Sequence, residues 1–291
     1  MNDRFPYALN VIADDAADLA EELRQWGEPA WLSDGYAFDM FFADNPRDVL
    51  GRARSAAKGA VADLNVLATE RRRKKLLVAD MDSTIIACEC LDEIADMAGF
   101  GARVAAITER AMRGEIAFEP ALRERVALLK GLPVSILERV YTERVRLNPG
   151  ARALVATMRA HGAHTLLVSG GFTFFTRRVA AETGFHADQA NILLDDGGGH
   201  LTGVVAEPVL GREAKLDALT AAVAAMGVDF ADTLAVGDGA NDLGMIERAG
   251  LGVGYHAKPV VAKTAHATIG HGDLRALLYL QGYRDDEIRS S

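Results

Sequence analysis

Two aspartates, Asp80 and Asp82, stand two residues apart directly after the apolar run Leu76-Leu77-Val78-Ala79. At strand spacing, side chains two positions apart share a face, so both carboxylates can converge on one ligand. A third carboxylate, Asp238, follows another apolar run, Thr233-Leu234-Ala235-Val236. Carboxylates crowded into a poorly solvated cleft cannot all stay ionised unless a cation neutralises them. Oxygen donors without His or Cys suit a hard ion, and Mg2+ is the natural candidate. The alternative is purely structural, because an aspartate after a strand also caps a helix start.

The elements that must hold these groups can be read around them. The two runs above and Thr165-Leu166-Leu167-Val168 are short and continuously apolar, the pattern of strands buried on both faces. Helical patterns separate them. Strands alternating with helices predict an α/β fold, a Rossmann-like doubly wound parallel sheet with its ligand at the carboxyl ends of the strands. Those ends read Asp80-Met81-Asp82-Ser83-Thr84, Ser169-Gly170-Gly171 and Gly237-Asp238-Gly239-Ala240-Asn241-Asp242. Polar chemistry collects where such a sheet binds ligands.

Between residues 88 and 147 the pattern is helical only, with stripes at Leu91/Ile94/Met97/Ala98, Val104/Ile107/Ala111 and Leu122/Val126/Leu129. Gly99, Gly114 and Gly131 are placed to end these helices. Asn148-Pro149-Gly150 marks the return to the core, so the segment predicts a helical cap over the strand ends. Asn191 to Val205, with Asp196-Gly197 between apolar runs, predicts a β-hairpin. Upstream, residues 7–70 show a βαββαβ rhythm, the order of a ferredoxin-like α+β domain. Arg71-Arg72-Arg73-Lys74-Lys75 then reads as a solvated linker. The division expected is an N-terminal domain at 1–72, a core at 73–87 and 148–291, and a cap at 88–147.

Lys plus Arg total 32 against 41 Asp plus Glu, a balance of −9 that disfavours binding to nucleic acid. No apolar run approaches the ~20 residues that span a bilayer, and no secretory signal is visible. Cys88 and Cys90, one residue apart, offer no disulfide framework and half a zinc site at most. Reduced thiols in a cytoplasmic protein, with neither nucleic acid nor membrane as partner, are the expectation.

The motifs Asp80-Met81-Asp82-Ser83-Thr84, Ser169, Lys215 and Gly237-Asp238 through Asn241-Asp242 resemble, in order and spacing, the four motifs of the haloacid dehalogenase superfamily. The likeness runs from about Lys74 to the C-terminus. The second aspartate is the mark of members that act on phosphate. This resemblance implies Asp80 as a nucleophile forming an aspartyl-phosphate, and Asp82 as the acid that protonates the leaving group and then the base for water. It implies Ser169, the Gly170 N–H, Lys215 and Asn241 on the phosphate. Mg2+ would be held by Asp80, the Asp82 carbonyl and Asp238, with Asp242 orienting Lys215 or metal-bound water behind them. Plainer readings stay open at single positions: Ser169 as a helix N-cap, Gly170-Gly171 as a tight turn, Lys215 as solvated surface, Asp242 as a helix cap.

The leaving group must be read from the cap. Glu89, nine residues after Asp80, Phe118 and Arg125 supply an anion, an aromatic and a cation, which suit a small zwitterion with an ammonium and a carboxylate. Each has a plainer reading, as helix-start carboxylate, core aromatic and surface charge. The segments Glu89 to Ala95, Met112-Arg113-Gly114 with Phe118, and Leu122 to Val126 look like those of the phosphoserine phosphatases. That resemblance implies hydrolysis of O-phospho-L-serine, with Glu89 on the ammonium and Arg125 on the carboxylate. The N-terminal region is similar to ACT-type amino-acid-binding modules; a dimerising (homodimer) or stabilising appendage is the reading favoured over serine regulation. Rival readings are phosphothreonine or phosphohomoserine as substrate, a phosphotransferase, and a non-catalytic amino-acid sensor.

Overall fold

The computed structural model describes residues 5–112, 115–211 and 213–290. Arg113 and Gly114, and with them the expected helix end at Gly114, lie outside the described residues.

The N-terminal stretch forms β1 (Tyr7–Ala13), α1 (Ala16–Glu22), β2 (Ala30–Ser33), β3 (Ala37–Phe42), α2 (Pro46–Ala56) and β4 (Ala62–Ala68). They build an antiparallel sheet in the order β2-β3-β1-β4, the split arrangement expected of the βαββαβ rhythm. Leu9 and Val11 of β1 share one face and join Leu19, Leu23, Phe38 and Val49 in a cluster closed by the helices. The alternate residues, Asn10 and Ile12, point the other way and are also buried, because that face packs on the rest of the chain.

The basic run after this sheet is not a solvated linker. Arg72 is 4% exposed and Lys74 9%. The Arg72 guanidinium donates to both Asp39 oxygens (2.6 and 2.9 Å) and to the carbonyls of Leu280 and Tyr279 (2.7 and 3.1 Å). Lys74 donates to the carbonyls of Arg71 and Ala231, while Arg71 and Lys75 pair with Asp232. A charge run reads as solvated only until the fold supplies partners, and here carboxylates and helix-end carbonyls are waiting on both sides. Asp63 and Asn65 of β4 complete the junction. Asp63 accepts from the N–H groups of Gly270, His271 and Gly272 (2.7, 3.1 and 2.8 Å), and the Asn65 amide makes paired bonds to Thr268.

Beyond the run, β5 (Leu76–Ala79) opens the central sheet and leads through an irregular turn into the inserted helices α3 (Cys90–Met97), α4 (Gly101–Met112), α5 (Phe118–Ala127) and α6 (Ser135–Glu143). The core resumes with α7 (Ala151–Ala160), β6 (His164–Phe172), α8 (Thr173–Thr183), β7 (Ala187–Asn191), the hairpin β8 (Leu193–Asp195) and β9 (Leu201–Val205), and α9 (Ala214–Met226). It ends with β10 (Thr233–Gly237), α10 (Leu243–Arg248), β11 (Leu251–Tyr255), α11 (Pro259–Thr264), β12 (Ala267–Ile269) and α12 (Ala276–Leu280). The sheet is parallel throughout, in the order β12-β11-β10-β5-β6-β7. Every residue of β5 is fully buried, as its unbroken apolar run requires. The chain goes from β5 to β6 on one side and returns to β10 on the other, so β5 lies at the switch point where such sheets bind ligands.

The hairpin is not part of that sheet. Leu201 accepts from Gly131 and donates to Leu132, fastening β9 behind α5 of the insert.

Candidate active site

The site begins where β5 gives out. Asp80 remains extended, as does Asp82, but Ser83 takes φ 57°, a left-handed conformation uncommon outside Gly, Asn and Asp, and the chain swings off the strand axis. The two carboxylates that simple alternation places together have different partners. Asp80 points inward, 4% exposed, and its Oδ1 lies 2.5 Å from Lys215 Nζ. The Asp82 carboxylate is held at the cap junction instead: Oδ1 accepts from Cys90 N–H (2.9 Å) and Oδ2 from Ser169 Oγ–H (2.8 Å). Only its backbone remains beside the Asp80 carboxylate as a candidate for a shared ion.

Ser169 departs from its plain reading as a helix N-cap. It lies within β6 rather than beyond its end, is 2% exposed, and accepts from Gly171 N–H (2.8 Å) while donating to Asp82. Gly170 and Gly171 likewise belong to the strand and not to a tight turn. Their lack of side chains serves close approach: a Cβ on Gly170 would stand 3.1 Å from Phe118 Cζ, and one on Gly171 3.0 Å from Asp82 Oδ2.

Lys215, at the start of α9, is 3% exposed and no surface lysine. Its ammonium bridges Asp80 Oδ1 and Asp242 Oδ1, both at 2.5 Å. Burial by itself favours the neutral amine, yet the two carboxylates outweigh it and raise the Lys215 pKa. Burial, then the Asp242 charge, pushes the Asp80 carboxyl well above the usual carboxylate range, with Lys215 offsetting only part. Asp242 is fully buried, and its Oδ2 accepts from Gly239 N–H (3.0 Å), so it caps the turn after β10 and holds Lys215 together. Gly237 is required there, since a Cβ would overlap the Asp242 carboxylate. Asn241 is half-buried on the same turn.

Asp80, Asp238 and Asp242 bring carboxylate oxygens within 4.8 Å of one another. This donor set fits a hard divalent cation: oxygen only, buried, and carrying more negative charge than Lys215 cancels. Of the three, Asp242 is the poorest donor, because Lys215 and Gly239 already occupy both its oxygens.

Over these groups lies the insert. Glu89 faces the open cleft, and its Oε1 accepts from Ser83 Oγ–H at 2.7 Å. The residue as a whole is solvent-accessible, but its carboxyl is enclosed enough that burial, joined by the Asp82 charge, pushes its pKa up to about 7. Arg125, half-buried on α5, makes only long bonds within the protein, to Ala121 O (3.3 Å) and Thr108 Oγ1 (3.4 Å). Burial lowers its pKa, and the charges of Asp92 and Glu89 pull it back up, so anion and cation share one cavity. Phe118 packs at Gly170, between that cavity and the strand ends. The expected site residues are therefore at or just beyond the carboxyl ends of β5, β6 and β10, at the start of α9, or in the insert facing them.

A model of the haloacid dehalogenase-like hydrolases matches residues 77–247. The chain belongs to that family.

Within it, the chain is 49% identical over 211 residues to a phosphoserine phosphatase from Polaromonas sp. (strain JS666), covering 71% of this chain and 89% of that protein. A phosphoserine phosphatase from Streptomyces coelicolor is 42% identical over 237 residues, 81% of this chain but only 57% of its own length. Among solved structures, a probable phosphoserine phosphatase from Vibrio cholerae superposes with a TM-score of 0.79 at 34% identity, over 96% of this chain and 87% of that one. A family hydrolase from Salmonella enterica serovar Typhi reaches 0.86 at 27% identity, over 94% and 97%. These relatives place the chain in the phosphoserine phosphatase branch of the family.

Two residues of this family member's site escape sequence reading. Asp92, three residues after Glu89 on α3, has one buried carboxylate oxygen without a hydrogen-bond partner, and its i, i+3 spacing was the available signal. Lys258 lies 3.4 Å from Asp238 Oδ2, and a lysine before a proline at a helix start carries no signal of that contact. Among the described residues no helix is long and apolar enough to cross a membrane.

Proposed function

We propose that the chain hydrolyses O-phospho-L-serine to L-serine and phosphate through an aspartyl-phosphate on Asp80, the last step of serine biosynthesis. The observation that carries this reading is the pairing of two chemistries in one cleft. Asp80, Lys215 and Asp238 meet at the strand ends, and Glu89 and Arg125 stand across from them on the insert.

Lys215 fixes one Asp80 oxygen and leaves the other to attack phosphorus. The same ammonium faces the charge that builds on the equatorial phosphate oxygens. Ser169 rotates its hydroxyl from Asp82 toward the phosphate, joined by the Gly170 N–H and the Asn241 amide. That rotation frees Asp82 Oδ2 to carry the proton that the departing serine alkoxide takes up; the same carboxylate then accepts a proton from the water that hydrolyses the intermediate. The Asp80 carboxylate, the Asp82 carbonyl and the Asp238 carboxylate would hold Mg2+, which when bound supplies positive charge to the phosphate and to the crowded carboxylates. Glu89 takes the substrate ammonium and Arg125 its carboxylate, while Phe118 shields the phosphate from water. The working division into an N-terminal unit at 1–72, a core at 73–87 and 148–291, and a cap at 88–147 belongs to this reading.

A phosphate-release assay over phosphoserine, phosphothreonine, phosphoethanolamine and a phosphosugar tests it, run with Mg2+ and again in chelator. The proposal expects phosphoserine to lead phosphoethanolamine and the phosphosugar by about tenfold or more, in the order of one lost charged contact, phosphothreonine to trail by the smaller factor of one added methyl, and chelator to silence turnover. A sugar phosphate in first place, or full activity in chelator, contradicts it.

A further inference from the structure

Among the described residues, three positive side chains at the acidic cleft are not equivalent. Lys215 is buried and clamped between Asp80 and Asp242. Arg125 belongs to the cavity of Glu89 and Asp92. Lys258 is different from both: its side chain is 51% exposed, and its ammonium stands 3.4 Å from Asp238 Oδ2, on a carboxylate that Lys215 does not touch. Its backbone is anchored, since the Lys258 N–H donates to the Asp238 carbonyl (3.0 Å) and Pro259 opens α11 immediately after. The tether is thus fixed while the charged end is not. Beside it opens a cleft of about 530 Å3, lined by Ser83, Asp238, His256 and Lys258 among others. A lysine ammonium is a compact charge on a flexible four-carbon stem, and this one has room to leave Asp238 without unfolding anything.

We propose that Lys258 is an exchangeable counter-ion of Asp238, occupying that carboxylate in competition with the divalent cation and thereby setting the cation's affinity. The inference rests on the metal reading above. An ion held by Asp80 and Asp238 must displace the ammonium from Asp238 or sit within a few ångströms of it. A doubly charged ion about 5 Å from a lysine in largely aqueous surroundings is repelled by an amount worth roughly tenfold in binding, and motion of the exposed stem relieves part of it. The same competition keeps the site exchangeable, because Lys258 returns to neutralise Asp238 when the ion leaves. Lys215 cannot act in this way, being enclosed and shared by two carboxylates.

The test is calorimetric titration of Mg2+ into the full chain, without substrate, for wild type, Lys258→Met and Lys258→Arg. Met keeps the stem and the backbone N–H but removes the charge; Arg keeps the charge. The proposal expects Lys258→Met to bind Mg2+ about threefold to tenfold more tightly and Lys258→Arg to stay near wild type. A merely structural lysine would not tighten the ion on removal. Unchanged or weaker Mg2+ binding by Lys258→Met, with normal binding by wild type, overturns the proposal and leaves the metal reading standing. Unchanged Mg2+ affinity with a raised KM for phosphoserine would instead make Lys258 a phosphate contact, which also overturns it. Absence of Mg2+ uptake by wild type removes the metal reading and this proposal with it.

Discussion

Replacing Arg125 by Ala separates recognition of the substrate from the chemistry at phosphorus. Arg125 is half-buried and spends its donors on two long bonds, 3.3 and 3.4 Å, so its charge is little used inside the protein. Against a substrate carboxylate it can form two parallel charge-assisted bonds. Hydrogen bonds to charged groups contribute about 1.5–3 kcal/mol each, and partial exposure brings the pair down to about the value of one. A loss of about 1.5–3 kcal/mol is roughly 10- to 150-fold in kcat/KM. The assay compares wild type and variant on phosphoserine and on phosphoethanolamine, which keeps the phosphate and ammonium but lacks the carboxylate. Phosphoserine should lose the full factor and phosphoethanolamine less than about threefold, and wild type should itself discriminate between the two by a similar factor. Equal losses on both substrates would show that Arg125 acts on the fold or on phosphorus, and the assignment of the cavity to a zwitterion would fail.

The remaining expectations concern Glu89 and the junction. Because burial raises the Glu89 pKa to about 7, the carboxylate that takes the ammonium is lost as pH falls through that value. One unit below, only about a tenth of it remains ionised, so kcat/KM for phosphoserine should fall below pH 7 while kcat, measured on the complex, falls less. Glu89→Gln should remove that limb of the profile, and a profile identical to wild type contradicts the role. At the junction, Arg72→Met leaves Asp39, 2% exposed, without its partner. Stranding a buried charge costs about 3–5 kcal/mol, to be read by urea denaturation, and the double variant with Asp39→Leu should recover most of it. Loss under 1 kcal/mol for the single variant would mean that the pair is solvated in solution.

Where chemistry and local pattern coincide, the sequence is a good guide. Asp80, Asp238 and Asp242 could be placed because each follows a strand whose unbroken apolar run has few other interpretations, and the split N-terminal sheet follows from its alternation. What escaped was decided by long-range or backbone geometry. The left-handed Ser83 bends the chain off the strand axis, and no glycine announces it; the Asp82 carboxylate goes to Cys90 N–H and Ser169 Oγ–H, partners that lie on other elements. Ser169 sits inside a strand because β6 extends past its apolar run, where Gly170 leaves room for Phe118 and Gly171 for the Asp82 carboxylate. Arg72 and Lys74 of the basic run are buried by partners that lie far along the chain, Asp39, Ala231 and the end of α12, and Arg71 pairs with Asp232. Lys258 meets Asp238 from a separate element, a contact that spacing cannot encode.

The covalent role of Asp80 is the point on which the rest turns. Phosphoserine labelled in its phosphate, mixed with enzyme and quenched in acid within milliseconds, should leave label on the protein, and peptide mapping should recover it on Asp80. Asp80→Asn should fold normally and carry none. Label on another residue, or wild-type turnover by the Asn variant, would contradict the account at its base.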